Sequence, residues 1–276
     1  MALAFLQRLA TEVSEGTIDL PCFPDVVIRI SQALADPNTT PEGVVTVVGA
    51  EPRLAARVLQ TANSAAFNSS GKPLSDLRSA IIRLGQQMVQ STAMAYALQN
   101  MKNEAQLRSF AQPLAELWNK SIAVASICKL LAARTKVPAD EAFLTGLVHG
   151  IGNLYIMARA AGAQNGLGPA PWMELIGGWQ ASIGQAVLQS WGFAEELCEA
   201  VGEQDDLERR FRHEARLSDI LVAGLLLAEA QKTPEPRSVR TEGVNAFLSL
   251  RLNSAECIAL LSAADERIRE VLEALS

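Results

Sequence analysis

The chain has 276 residues, 49% hydrophobic and 20% charged, with a formal net charge of −6. This length and balance suit one large or two modest globular domains with a substantial core. The negative charge would on average repel a phosphate backbone, which argues against general nucleic-acid binding. No apolar run reaches the length a bilayer-spanning helix needs.

In chain order, the first sixteen residues, MALAFLQRLATEVSEG, are apolar at Leu3, Phe5, Leu6 and Leu9 and carry Glu12 and Glu15. They read as an amphipathic helix rather than a signal peptide, having no basic leading region. PDVVIRISQALAD repeats apolar residues at spacings of three and four (Val26, Val27, Ile30, Leu34), which predicts a helix stopped by Asp36-Pro37-Asn38. A second helix is expected after Thr40 as N-cap and Pro41 as first helical residue, and a third after Pro52. NSSGKPLSD reads as a loop. Ser75 or Asp76 can cap LRSAIIRLG, and Gly85 suits that helix's end. QQMVQSTAMAYALQNM follows, then a long helical segment from about Gln106 to Lys136. VPADEAFLTGLVHGIGNLYIMARA reads as one further long helix.

The stretch 161–171 is a Gly/Pro/Asn-rich break. Helical patterns resume at about Trp179–Trp191, Ala194–Glu203 and Glu214–Ala230. A second loop, 231–243, leads to a C-terminal stripe of Ile258, Leu261, Ile268, Val271 and Leu272. Alternating strand patterns are lacking, so the expected fold class is all-α. Cys22, Cys128, Cys198 and Cys257 form no CxxC pair and read as reduced thiols of a cytoplasmic protein.

Five blocks, LPCFPDVVIRI, AEPRLAARVLQTANSAAF, LSDLRSAIIRLG, LWNKSIAVASICKLLA and DEAFLTGLVHGIGNLYI, stand in an order and spacing that resembles the HDOD family, the HD-related output domains of bacterial signalling proteins. The resemblance runs from about Leu20 to about Gln204, with ANSAAF and AIIRLG its most specific parts. It implies an N-terminal helical lobe, about 1–104, packed on a degenerate HD-type lobe, about 105–276. It also implies kinship with HD phosphohydrolases, which bind divalent metal through imidazoles and a carboxylate and activate a water against a phosphoester.

This chain departs from that ligand set. Lys120 stands where the first histidine is expected, and the HD pair is reduced to His149 beside Gly150. The later histidine positions hold Gln180 or Ala181, and Glu203, Gln204 or Asp205. The whole chain has two histidines, His149 and His213. A multi-histidine site cannot be assembled from two, and the Lys120 ammonium would repel a cation. No metal or cofactor is therefore expected, and His149 reads as an interior residue. Gly150 costs roughly 1 kcal/mol of helix stability relative to alanine. Gly146 and Gly150, four apart, would let a neighbouring helix come close, so the segment reads as a packing element.

Other candidates have both a plain and a sharper reading. Arg209, Arg210, Arg212, His213 and Arg216 form a basic run, either a solvated face or a docking patch, and the weakest option has it touch DNA. Glu195, Glu196, Glu199 and Glu203 share a helix face that reads as solvated, and Asp205 and Asp206 read as no metal site. Asn63 and Ser64 either end a helix by local bonding or line a groove between lobes. Trp118, Trp172, Trp179 and Trp191 read mostly as core aromatics. No GxSxG, GxGxxG or GxxxxGK[ST] motif occurs.

The resulting expectation is a non-catalytic bacterial signalling module. It would work through protein–protein contact with a kinase, a response regulator or a cyclic-dinucleotide enzyme. Relatives are often fused to receiver domains. This chain has no room for one, so its input is expected from a separate protein or ligand. The alternative is a divergent phosphohydrolase or nucleotide-binding protein that reuses the interlobe cleft through His149, Lys120 and the acids near Asp205.

Overall fold

A computed structural model of the chain describes residues 7, 11–12, 15, 20, 23–36, 38–68, 71–102, 104–162, 177–232, 239 and 241–275. Leu3, Phe5, Leu6, Leu9, Cys22, Trp172 and most of the breaks at 161–171 and 231–243 lie outside the described residues. Among the described residues every regular element is helical, as the periodicity predicts.

Helices α1 (Asp25–Ala35), α2 (Pro41–Gly49) and α3 (Pro52–Asn63) start where the proline and threonine signals place them. The Thr40 side chain accepts a hydrogen bond from the Gly43 amide, and Pro41 and Pro52 occupy first-turn positions whose missing N–H goes unused. Asp76, rather than Ser75, caps α4 (Leu77–Lys102), accepting from the Ser79 amide at 2.8 Å. Gly85 breaks α4 with φ 74° and ψ 165°, a left-handed conformation that favours glycine. The helix axis changes there, so LRSAIIRLG and QQMVQSTAMAYALQNM are two arms joined at a kink.

The expected long segment after Gln106 is a 3-10 helix (Ala105–Phe110) followed by α5 (Ala111–Ala132). The expected single helix around GLVHGIG is instead α6 (Ala139–Val148) and α7 (Ile151–Gly162), separated by a turn at His149-Gly150. The apolar pattern runs unbroken through that turn, because both helices are buried on most sides (Phe143, Leu147, Ile151, Leu154 and Tyr155 are all interior). Beyond it lie α8 (Gln180–Ser190), α9 (Glu195–Gly202), α10 (Leu217–Gln231), the short α11 (Asn245–Ser249) and α12 (Ser254–Leu275). Residues 214–216 are not helical as the pattern suggested. Asp219 Oδ2 accepts from the Arg216 amide at 2.9 Å and starts α10 one residue later.

Helix α5 is the hub. It packs on α6, α10 and α12, and on α4 and the 3-10 helix. Its closest neighbour is α6, because Gly146 removes a side chain at the crossing. A Cβ there would come within 2.6 Å of the Ala125 Cα. Helices α1 to α4 pack together on one side, and α7, α8, α9 and α10 pack in succession on the other. Helix α12 returns the chain to the N-terminal helices, where Gln99 Nε2 donates to the Leu275 carbonyl at 2.7 Å. One continuous apolar core runs through all of these helices.

Candidate functional site

Of the residues that the family resemblance would set at ligand positions, Lys120, His149, Gly150, Gln180, Gln204 and Asp205 come near one another, although they belong to four separate stretches of chain. His149 closes α6 and is buried. Its Nδ1 lies 2.8 Å from the Gly146 carbonyl. A carbonyl only accepts, so Nδ1 carries the proton and Nε2 keeps the lone pair. Burial pushes the imidazole pKa down to about 4; the Gly146 bond opposes this, and the charge of Lys120 adds a lesser downward push. The ring is therefore neutral at physiological pH.

Lys120, on α5, is half-buried. Burial and the nearby Lys232 ammonium hold its pKa below the ordinary lysine range, while Glu229 and Asp205 act the other way. Gln180, at the start of α8, accepts a short hydrogen bond from the Asn153 amide on α7, and its own amide lies 3.5 Å from both oxygens of Asp205. Gln204 is buried and donates to the His149 carbonyl at 3.1 Å and to the Val201 carbonyl at 2.9 Å. Gly150 sits against α5, where a Cβ would meet the Leu117 side chain at 2.4 Å. Asn153, Glu229 and Lys232 complete the neighbourhood. No sequence signal marked them, since nothing local relates α7 or α10 to Lys120.

The chemistry of this donor set does not fit a divalent cation. Lys120 offers only donors, the two glutamine amides are used within the cluster, and one imidazole and two carboxylates remain, of which Glu229 is paired with Lys232. Among the described residues no three His, Cys, Asp or Glu side chains gather as a metal site requires. No reaction step is derived through a metal here.

Glu203 leaves the cluster. It pairs with Arg209 at 2.7 Å and faces a cleft of about 630 Å³ beside α9. Glu195, Glu196 and Glu199 line the same cleft with Glu141 from α6, so the acidic stripe is not simply a convex solvated face. Val137, Pro138, Ala215 and Leu217 supply its apolar lining, and Lys136 and Arg216 are the cations in its wall. Burial and the charge of Glu196 push the Glu141 pKa up.

The basic run divides. Arg209 is 7% exposed, which corrects its place in a surface docking patch. Its Nε lies 3.2 Å from the buried Asp219, and its Nη2 donates to Glu203 and Ser218. Arg210, Arg212, His213 and Arg216 are exposed.

Asn63 and Ser64 bond within residues 61–74. The Asn63 amide donates to the Leu74 carbonyl at 2.8 Å and accepts from the Leu74 amide at 2.7 Å, and Ser64 Oγ donates to the Thr61 carbonyl at 2.8 Å. Arg83, from AIIRLG, donates to the Ala62 and Lys72 carbonyls at 3.1 and 3.0 Å. The two most specific sequence blocks thus brace one loop from both sides. Phe67 of ANSAAF lies beneath Lys129 of α5 at 5.6 Å and Arg267 of α12 at 6.0 Å. Trp118 and Trp191 are buried, the latter stacked on Phe23 at 4.4 Å, whereas Trp179 is half exposed.

The helices and their order define an all-α protein with an HD-like fold. The chain belongs to the HDOD domain family, whose match spans residues 20–207. That family is related to the HD phosphohydrolases.

A solved protein from Shewanella amazonensis SB2B, named as a candidate metal-dependent phosphohydrolase, is 24% identical. The match covers 95% of this chain and 98% of that one, at a TM-score of 0.66. An HDOD domain protein of unknown function from Geobacter sulfurreducens is also 24% identical, with 97% and 96% covered and a TM-score of 0.62. At these identities the likeness concerns the fold. An uncharacterized protein of Treponema pallidum is 23% identical over 212 residues, which cover 70% of this chain and 39% of that protein. The chain thus spans about two-fifths of that relative. No helix among the described residues is long and apolar enough to cross a membrane.

Proposed function

We propose that this chain is a non-catalytic regulatory module that acts by protein–protein contact. The observation that supports it most is the self-satisfied cluster at the HD positions. Gln204 donates its amide to the His149 carbonyl, Gln180 turns to Asp205, burial keeps His149 neutral, and the half-buried Lys120 ammonium lies near enough to both His149 and Asp205 to be felt by them, where it would repel a cation. Groups that satisfy one another hold helices together and leave no activated water to attack a phosphoester. The fitting partner is a signalling protein, such as a kinase, a response regulator or a cyclic-dinucleotide enzyme. Its binding would shift an equilibrium between conformations that already exist.

The test is turnover of phosphomonoesters, phosphodiesters and cyclic dinucleotides by the purified chain with added manganese or magnesium, alongside metal analysis of the same preparation. The expected result is no turnover above the metal-only blank and no stoichiometric metal. Turnover that disappears in both His149→Ala and Lys120→Ala would establish the phosphohydrolase reading instead.

A further inference from the structure

The segment between Glu203 and Leu217 turns its sequence inside out. Arg209 points inward to Glu203, Ser218 and Asp219, while Leu207 and Phe211 are 43% and 42% exposed. The loop is held in this posture from outside as well. Asn245 Nδ2 donates to the Arg209 carbonyl at 2.7 Å, and the Arg212 amide donates to Ser249 Oγ at 3.3 Å. Leu248, between these two anchors on α11, is 55% exposed. Phe211 packs edge-on to His213 at 5.2 Å. The result is a fixed apolar knob flanked by Arg210, Arg212 and His213, none of which forms an ion pair among the described residues. Large apolar side chains exposed to water beside the unpaired guanidinium groups of Arg210 and Arg212 form a surface that gains by being covered.

The complementary surface is on the same molecule. Both ends of the loop, Glu203 and Arg216, stand in the wall of the acidic cleft, so knob and cleft lie side by side. The cleft carries five carboxylates against two cations, over an apolar lining, in about 630 Å³. Asn245 and Ser249 hold the loop to α11, which does not line the cleft, so the knob is tied away from its own cleft. A twofold axis between two such neighbouring halves would set each knob into the other copy's cleft, the reciprocal contact that a closed dimer requires.

We propose that the occupant of the knob is a second copy of this chain. The Phe211 loop of each copy enters the other's cleft, with Arg210 and Arg212 meeting Glu195 and Glu199. The inference stands whether or not the chain has a catalytic role. Burial of Phe211 supplies the attraction, and the charges set orientation and make the association weaken with salt.

Sedimentation velocity of the full chain across a concentration series, at low and high salt, tests it. The mass should rise from 29.6 kDa toward twice that value at low salt. Phe211→Ala should weaken the association roughly tenfold or more. Arg210→Glu/Arg212→Glu, with two like-charged faces, should stay monomeric, and so should Glu195→Lys/Glu199→Lys. An equimolar mixture of those two variants should recover the dimer, because each face again meets its opposite. Circular dichroism of each variant checks that it is folded. A wild type that stays monomeric throughout overturns the proposal. So does a dimer that survives both charge reversals, or a mixture that fails to associate.

Discussion

His149 illustrates how little a side chain's type says about its state. It is enclosed by α5 and α6, bonded at Nδ1 and set near an ammonium, so it resists protonation down to about pH 4 against an ordinary value of 6.5. In the unfolded chain it takes up a proton as the pH falls through 6.5, which the folded chain refuses. Its contribution to stability is therefore intact above 6.5 and is lost progressively between 6.5 and 4. The shift corresponds to a loss on the order of 3 kcal/mol across that window. Urea unfolding of the wild type and His149→Leu over this range should give a distinctly shallower pH dependence for the variant. Parallel curves would mean that the ring is not held neutral. Arg209 makes the same point from the other side. A run of arginines reads as surface, yet one of them completes a buried ion pair with Asp219, a placement visible only once α10 stands beside the loop.

At the scale of helices, the decisive contact is that of α5 with α6. Serine and alanine on α5 (Ser121, Ala125) and Gly146 on α6 keep the crossing thin. Alanine at position 146 would favour the isolated helix by roughly 1 kcal/mol. In the folded protein its Cβ would meet the α5 backbone at 2.6 Å, and backbone cannot step aside as a side-chain tip can. Gly146→Ala should therefore lower stability by about 1–3 kcal/mol, read from the urea midpoint. A neutral or stabilised variant would refute the close crossing. The break at His149-Gly150 belongs here too. Apolar periodicity anticipates helix on both sides of it, but cannot register a two-residue turn between helices that are buried on nearly every face.

For the whole molecule, α12 ties the beginning to the end. The Leu275 carbonyl accepts from Gln99, the Ala274 carbonyl accepts from Thr61 at 3.4 Å, and Phe67 lies between cations of α5 and α12. A division at residue 104 would cut through these contacts, so we expect the two sides to unfold together. All four tryptophans lie beyond residue 104, so their fluorescence follows chiefly that side, with Trp191 also reporting its contact with Phe23 across the division, while far-ultraviolet circular dichroism follows both. The two urea transitions should coincide. Separated midpoints would show two independently folding lobes.

The sequence by itself determined the helical class, most of the helices, the caps at Thr40 and next to Leu77, and the count of two histidines. These are local or countable properties. A 3.6-residue period, a proline in a first turn or a missing imidazole needs no partner to be recognised. Tertiary structure alone decided which groups meet. It placed Lys120 near Glu229 and Lys232, lined a cleft with the acidic stripe of α9 and Glu141, and turned Arg209 inward while leaving Phe211 in water. The reason is physical. Such meetings depend on the angles and separations at which helices cross, and these are set by the packing of the whole core rather than by any single stretch of chain.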